Sequence, residues 1–171
     1  MTVDEIFPLV NEQGEVIGSA SRRECHSGSK PLHPVVHLHV FNRNGEWLLQ
    51  KRSPRKDIQP SKWDTSVGGH VDFGEEVATA LQREAREELG IADFVPEFLR
   101  SYIFESDVEK EFVYSYKTLY EGAIVFDTEE IDAVRFWSPD EIRSLVGKGV
   151  FTPNFEDEFL AISEILYNFA P

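Results

Sequence analysis

The chain is poor in cysteine, in methionine and in positive charge. A lone Cys25 cannot form an internal disulfide, which excludes a disulfide framework and fits a reducing compartment. Lys and Arg number 17 against 31 Asp and Glu, for a formal net charge of −14. Such a surface repels long nucleic acids, whose binders are basic. No apolar run reaches the roughly 18 residues that a membrane-spanning helix needs. The opening segment MTVDEIFPLV is acidic and lacks a basic stretch followed by a long apolar one; it does not read as a signal peptide, and the cytoplasm is the expected location. There is no internal repeat and no linker rich in Gly, Ser or Pro, so residues 1–171 are read as one domain.

What is present suffices for a core. A chain of 171 residues, 41% hydrophobic, can bury roughly two thirds of its unfolded surface. The acidic residues have two readings: a solvated surface, or carboxylates gathered to hold cations. Position separates these readings where composition cannot.

Residues from about Phe7 to Val10 and Glu15 to Ala20 flank Asn11-Glu12-Gln13-Gly14 and predict an N-terminal hairpin over about 6–20. Val35–Phe41 and Glu46–Lys51 flank Asn42-Arg43-Asn44-Gly45, whose Asn-Gly pair supplies the positive φ angles of a tight turn. Further strands are expected at Thr65–Val67, Glu97–Phe104, Phe112–Glu121 and Ala133–Trp137. A first helix runs from about Glu76 to Leu89 with Gly90 as its stop. A second begins at Ser138-Pro139-Asp140-Glu141, a capping box. A third follows Thr152-Pro153, with Phe155, Phe159, Ile162, Leu166 and Phe169 at helical spacing, a core stripe. Strands and helices mix without regular alternation, which points to an α+β fold with helices packed on a mixed sheet.

The informative segment is Gly69 to Ile91. Glu84, Glu87 and Glu88 sit at i, i+3 and i+4 and project from one helix face. Leu81, Ala85 and Leu89 form an apolar stripe beside them. Taken alone, the carboxylates read equally well as a solvated acidic face, offset by Arg83 and Arg86, or as ligands for a hard cation. Mg2+ takes oxygen ligands and is commonly shared between carboxylates and a substrate's phosphates. Gly68-Gly69 ahead of the helix permits close backbone approach, so a carbonyl could also ligate.

The pattern Gly69, five residues, Glu75, seven residues, Arg83-Glu84, one apolar and one free residue, Glu87-Glu88, one residue, Gly90 and an apolar residue resembles the box of the Nudix hydrolases over residues 69–91. Every fixed position matches, and Ala85 stands where a larger aliphatic is usual. The resemblance implies a Nudix fold, an α/β/α sandwich around a mixed sheet. It implies Mg2+, with Mn2+ as an alternative, held by Glu84, Glu87, Glu88 and the Gly69 carbonyl. Arg83 would orient the carboxylates and Glu75 would support the loop. The implied reaction is hydrolysis of a diphosphate bond in a nucleoside diphosphate-linked or related small molecule.

From about Val10 to Tyr120 the chain also resembles the isopentenyl-diphosphate isomerase branch of that superfamily. The likeness rests on Asn11 to Gly18, Pro31-Leu32-His33, Gln50-Lys51-Arg52-Ser53 and Trp63 to His70. It implies a second divalent site, suited to Zn2+ or Mn2+, formed by His26, His33, His70, Glu109 and Glu111. The isomerase's catalytic cysteine would stand at Gly68, and glycine can neither give nor take a proton. Cys25, far from that position in sequence, is read as a small buried residue. Together with the intact box, this favours hydrolysis over isomerisation and over a non-catalytic nucleotide-binding module. Glu109 and Glu111 are expected to share a strand face, one of them serving as metal ligand or general base, with Glu111 as the catalytic candidate. Lys51 and Arg52 are candidates for neutralising phosphate, or else solvated strand-end charges. His37 and His39 share a strand face with His33 and either line a pocket or sit satisfied in the sheet. The substrate is a small molecule, and Phe151–Pro171 either packs on the chain or mediates a homodimer.

Overall fold

A computed structural model describes residues 4–167. Strands β1 (Ile6–Val10) and β2 (Val16–Ser21) form a separate two-stranded antiparallel sheet. A one-turn helix α1 (Arg22–Cys25) follows, capped by Ser21 and Glu24 in a reciprocal capping box. The main sheet contains β3 (Leu32–Phe41), β4 (Trp47–Arg52), β5 (Trp63–Asp64), β6 (Val67–His70), β7 (Glu97–Glu105), β8 (Lys110–Leu119) and β9 (Ile131–Trp137). Its spine runs β5-β4-β3-β8-β7, with β6 on β3 and β9 on β4. Only the β3–β8 pairing is parallel, so the sheet is mixed.

The long strand β3 meets β4 only at Val40 and Phe41, then gives its edge to β6 from Val35 to Leu38. Ser66 bridges the split: its hydroxyl donates to the Leu48 carbonyl and accepts from the Val40 amide. The strand expected at Thr65–Val67 is therefore two short strands with Thr65 and Ser66 between them. Ser66 is worth more as a side-chain bridge across the gap than as a ladder residue.

Helix α2 (Val77–Leu89) ends at Gly90 in the left-handed conformation, φ 67°. Its Ala80, Leu81, Ala85 and Leu89 pack on Val36, Leu38, Val40, Leu48 and Val67 of one sheet face. The other face carries Trp47 and Leu49, covered by Ile142 of α3 (Pro139–Leu145) and Phe155, Phe159 and Ile162 of α4 (Pro153–Tyr167). Burying each of those large side chains contributes about 1.5–3 kcal/mol. The layers are helix, sheet, helix, as the sequence predicts, and Ser138 and Glu141 make the expected capping box. Phe169 lies outside the described residues. Among the described residues no helix is long and apolar enough to cross a membrane.

Candidate functional site

Strand β6 is the partition of the site. Its residues alternate between two sheet faces, so Gly69 turns toward α2 and Gly68 and His70 turn the other way.

On the α2 side, Arg83 is the hub. Its Nε and Nη2 grip Glu75, each at 2.9 Å, and Nη2 donates to the His70 carbonyl at 3.0 Å. Its Nη1 holds Glu84 at 2.8 Å and Glu87 at 3.3 Å. Glu75 also accepts from the Asp72 amide, closing the loop ahead of the helix. Arg83 and Glu75 thus sit where the box resemblance puts an orienting cation and its support.

The three box carboxylates separate. Glu84 and Glu88 close on each other beside Gly69 and Gly68. A Cβ at Gly69 would collide with the Glu84 carboxylate, so glycine there is the condition for the carboxylate's position. Glu88 accepts from the Gln50 amide at 2.7 Å and from the Gly68 amide at 3.5 Å. Burial and then the neighbouring Glu84 charge push the Glu88 carboxyl well above the usual range, and burial raises Glu84 too. Two desolvated carboxylates pressed together, fixed by Arg83 and Gln50, fit a hard cation. Glu87 does not join the pair: it is exposed and paired with Arg83.

On the other side of β6, His26, His33, His70 and Glu109 come together. One ligand atom from each lies within 4.8 Å of the others. His26 Nε2, His33 Nε2, His70 Nε2 and Glu109 Oε2 are all buried and make no well-aligned hydrogen bond, although Glu109 Oε2 lies 2.9 Å from His26 Nε2 and 3.7 Å from His33 Nε2. His33 Nδ1 bonds the Pro31 carbonyl at 2.9 Å, which leaves the Nε2 lone pair for a ligand. Phe7 of the hairpin stacks on His70 at 4.3 Å, and burial lowers the His70 imidazole to about 3, keeping it neutral. Four converging buried ligand atoms of mixed N and O type fit a borderline divalent ion.

Glu111 does not belong to that group. It opposes His33 across the β3–β8 ladder and is buried. Burial, then the Glu109 charge, raises it to about 7. Glu109 precedes β8 rather than lying on it, so the two do not share a strand face as expected. Arg52 is bound to Asp64 at 3.3 Å and to the Ile58 carbonyl at 3.0 Å. Lys51 points to Asp132 at 3.9 Å. Neither of the two candidate phosphate-binding cations is free of a partner.

His37 and His39 are each held through one ring nitrogen by a residue that sequence reasoning missed, and His39 Nδ1 stays buried without a partner. Glu158 of α4 takes His37 Nδ1 and His39 Nε2, each at 2.7 Å, with Tyr102 at 2.6 Å and the Ser115 hydroxyl. A signal was available, since Glu158 falls inside the stripe of Phe155, Phe159 and Ile162. Gln50 was also missed; nothing local marks it. Cys25 is fully buried with Phe7 and Ala20.

Comparison with known proteins follows the same lines. The NUDIX domain profile matches residues 31–155. An uncharacterized Nudix hydrolase of Listeria monocytogenes is 33% identical over 159 residues, 88% of this chain and 90% of that protein. An isopentenyl-diphosphate Delta-isomerase of an Enterobacter species is 35% identical over 91 residues, but these cover only 53% of this chain and 50% of that one. Among solved structures, DR0079 from Deinococcus radiodurans superposes with a TM-score of 0.79 at 26% identity, over 92% of this chain and 98% of that one.

Proposed function

The chain belongs to the NUDIX family as a pyrophosphohydrolase, and on that premise we propose that it is a Mg2+-dependent hydrolase of a diphosphate bond in a nucleoside diphosphate-linked or related small molecule. The observation that carries this is the Glu84–Glu88 pair, closed on itself in a cradle that any side chain at Gly69 would fill.

Bound Mg2+, or Mn2+ in its place, would neutralise diphosphate charge and acidify a water at phosphorus. Glu84, Glu88 and the Gly69 carbonyl would hold it, with Glu87, exposed and paired with Arg83, as a further carboxylate at the rim. Arg83 fixes the Glu84 carboxylate, and Gln50 fixes that of Glu88, so little reorganisation remains for the moment of reaction. Glu111 would take the water's proton from the other side of β6, where it faces His33 and His37; a carboxyl raised to about 7 is matched to that task near neutral pH. Arg52, tied to Asp64, and Lys51 set the charge at the end of β4. Partner and compartment follow the sequence reading, a small-molecule diphosphate and the cytoplasm; of its two alternatives for the C-terminal segment, Phe151, Phe155, Phe159 and Ile162 pack on the chain's own sheet, and a homodimer is to be tested by light scattering.

A second reading is favoured by one observation, the convergence of His26, His33, His70 and Glu109. That group suits a Zn2+ or Mn2+ ion and an isopentenyl-diphosphate isomerase. Gly68 opposes it, since no thiol is there to protonate or deprotonate carbon.

The test is turnover with Mg2+ or Mn2+ on nucleoside di- and triphosphates, nucleotide sugars, dinucleotides and isopentenyl diphosphate. Phosphate or nucleoside monophosphate release that vanishes in Glu88→Gln supports hydrolysis. Isomerisation without phosphate release would replace that reading with the second.

A further inference from the structure

His37 is held at one edge and faces only the backbone of Gly68 at the other. Its Nδ1 is bound to Glu158 Oε2 at 2.7 Å, and Glu158 is itself locked by His39, Tyr102 and Ser115. Tyr102 reaches on to Asn154 at 2.9 Å, so the first turn of α4 shares in fixing the group. The ring cannot turn without breaking a charge-assisted bond in a dry interior. Its opposite edge faces Gly68: a Cβ there would stand 3.4 Å from His37 Cδ2 and 3.6 Å from Nε2. His37 is buried, with 8% of its surface exposed, but Gly68 is exposed and puts no side chain over that edge of the imidazole.

The groups around this edge are acidic. Glu88 Oε1 lies 3.5 Å from the Gly68 amide, and Glu111 and Asp64 both act on the His37 charge. Arg52 is occupied by Asp64 and Ile58, and Lys51 points to Asp132. A diphosphate seated against the Glu84–Glu88 pair would have oxygens on its far flank with no cation from β4 to meet them. Burial lowers the His37 imidazole, but Glu158 more than offsets this and brings it to about 9, so it keeps both protons at neutral pH.

We propose that His37 contacts the substrate, its Nε2–H donating to an oxygen of the bound diphosphate across Gly68, with Glu158 as the positioning residue that fixes the ring. This rests on the diphosphate-hydrolase reading. An imidazole that only anchored α4 would be indifferent both to ligand and to a side chain at position 68.

The experiment is nitrogen-15 NMR of the histidines in the full chain, with and without Mg2+ and methylenediphosphonate, His37 being assigned through His37→Gln. The expected result is a shifted His37 Nε2 signal on binding with Nδ1 unmoved, and loss of that Nδ1 signature in Glu158→Gln. Calorimetry should find methylenediphosphonate weakened about 10- to 100-fold in His37→Gln, the size expected for one lost hydrogen bond to a charged group. Should His37→Gln fail to fold, Gly68→Val covers the same edge and leaves the Glu158 network whole. It should weaken binding comparably at an unchanged melting temperature. Binding with an unmoved His37 signal, or full affinity in Gly68→Val, overturns the assignment alone. No methylenediphosphonate binding and no diphosphate hydrolysis by the wild-type protein would bring down the hydrolase reading, and this one with it.

Discussion

Glu88 reaches the sheet from α2 and Glu158 reaches it from α4, on opposite faces, and they meet opposite company. Glu158 takes two imidazoles, a phenol and a hydroxyl, and its carboxyl is held well below the usual range, since His37 and His39 more than offset burial. Glu88 takes an amide and another carboxylate, and its carboxyl is pushed well above that range. One carboxylate has its countercharge built into the fold, whereas the other lacks a cation of its own. A buried charge is tolerated only when compensated. On the proposed function, the difference separates a carboxylate that holds the fold from one that would take an external ion.

The largest effect that would sharpen this contrast is on turnover. Glu88→Gln should lower kcat/KM by roughly a thousandfold, about 4 kcal/mol of barrier, while its urea midpoint holds or rises because a repulsion is removed. Unchanged turnover at saturating Mg2+ would take Glu88 out of the site. Glu158→Leu should do the reverse in kind: equilibrium urea unfolding should find it destabilised by about 3–5 kcal/mol, the usual consequence of removing one partner from a buried pair. Wild-type stability in that variant would break the comparison.

Smaller effects follow from ion binding. Mg2+ at a hundred times its Kd should stabilise the wild type by about 2.7 kcal/mol. A thermal-shift assay should find that gain absent from Glu88→Gln and from Gly69→Ala, whose new Cβ would displace Glu84, but present in His39→Gln.

The smallest effect is the pH profile of metal-free stability. Glu158 is lowered, so its contribution is present above the ordinary 4.5 and lost as pH falls below it. His37 is raised to about 9, so its contribution is whole below 6.5 and lost as pH climbs toward 9. Glu84 and Glu88 are raised, so without metal their penalty grows as pH rises above 4.5. Melting temperature should therefore peak between about pH 4.5 and 6.5 and fall toward 9, and Mg2+ should flatten the part of that fall due to Glu84 and Glu88. A profile rising to pH 9 without metal would contradict the assignment of charges.

Glu88 and Glu158 also differ in how far the sequence reveals them. The box is linear: Gly69, Glu75, Arg83, Glu84 and Glu88 stand at spacings that a helix and its leading loop impose, so the α2 side of the site is legible residue by residue. The N-terminal hairpin announces itself through Asn11 to Gly14, the β3–β4 turn through Asn44-Gly45, and α3 through its capping box. The Glu158 network joins β3, β7, β8 and α4, and no local spacing encodes which strand face meets which helix. Its one trace is an acidic residue inside an apolar stripe. Gln50 leaves no trace at all, because its role comes from where β4 diverges from β3. The short helix α1 was signalled by Ser21 and Glu24 but is too brief for a periodic pattern to mark. Glu87 shows the opposite limit: its helix position is right for the cluster, yet Arg83 draws its side chain outward.

Cys25 closes the first turn that follows the N-terminal hairpin, fully buried under Phe7 and next in sequence to His26. Burial and the charge of Glu24 raise its thiol to about 11, so at neutral pH hardly any thiolate exists to react. As the chain's only sulfhydryl, it makes the protein its own clock. The rate at which a thiol reagent labels it counts how often the hairpin lifts from His33 and His70, and an ion captured by the histidine group would slow that clock without any other probe being added.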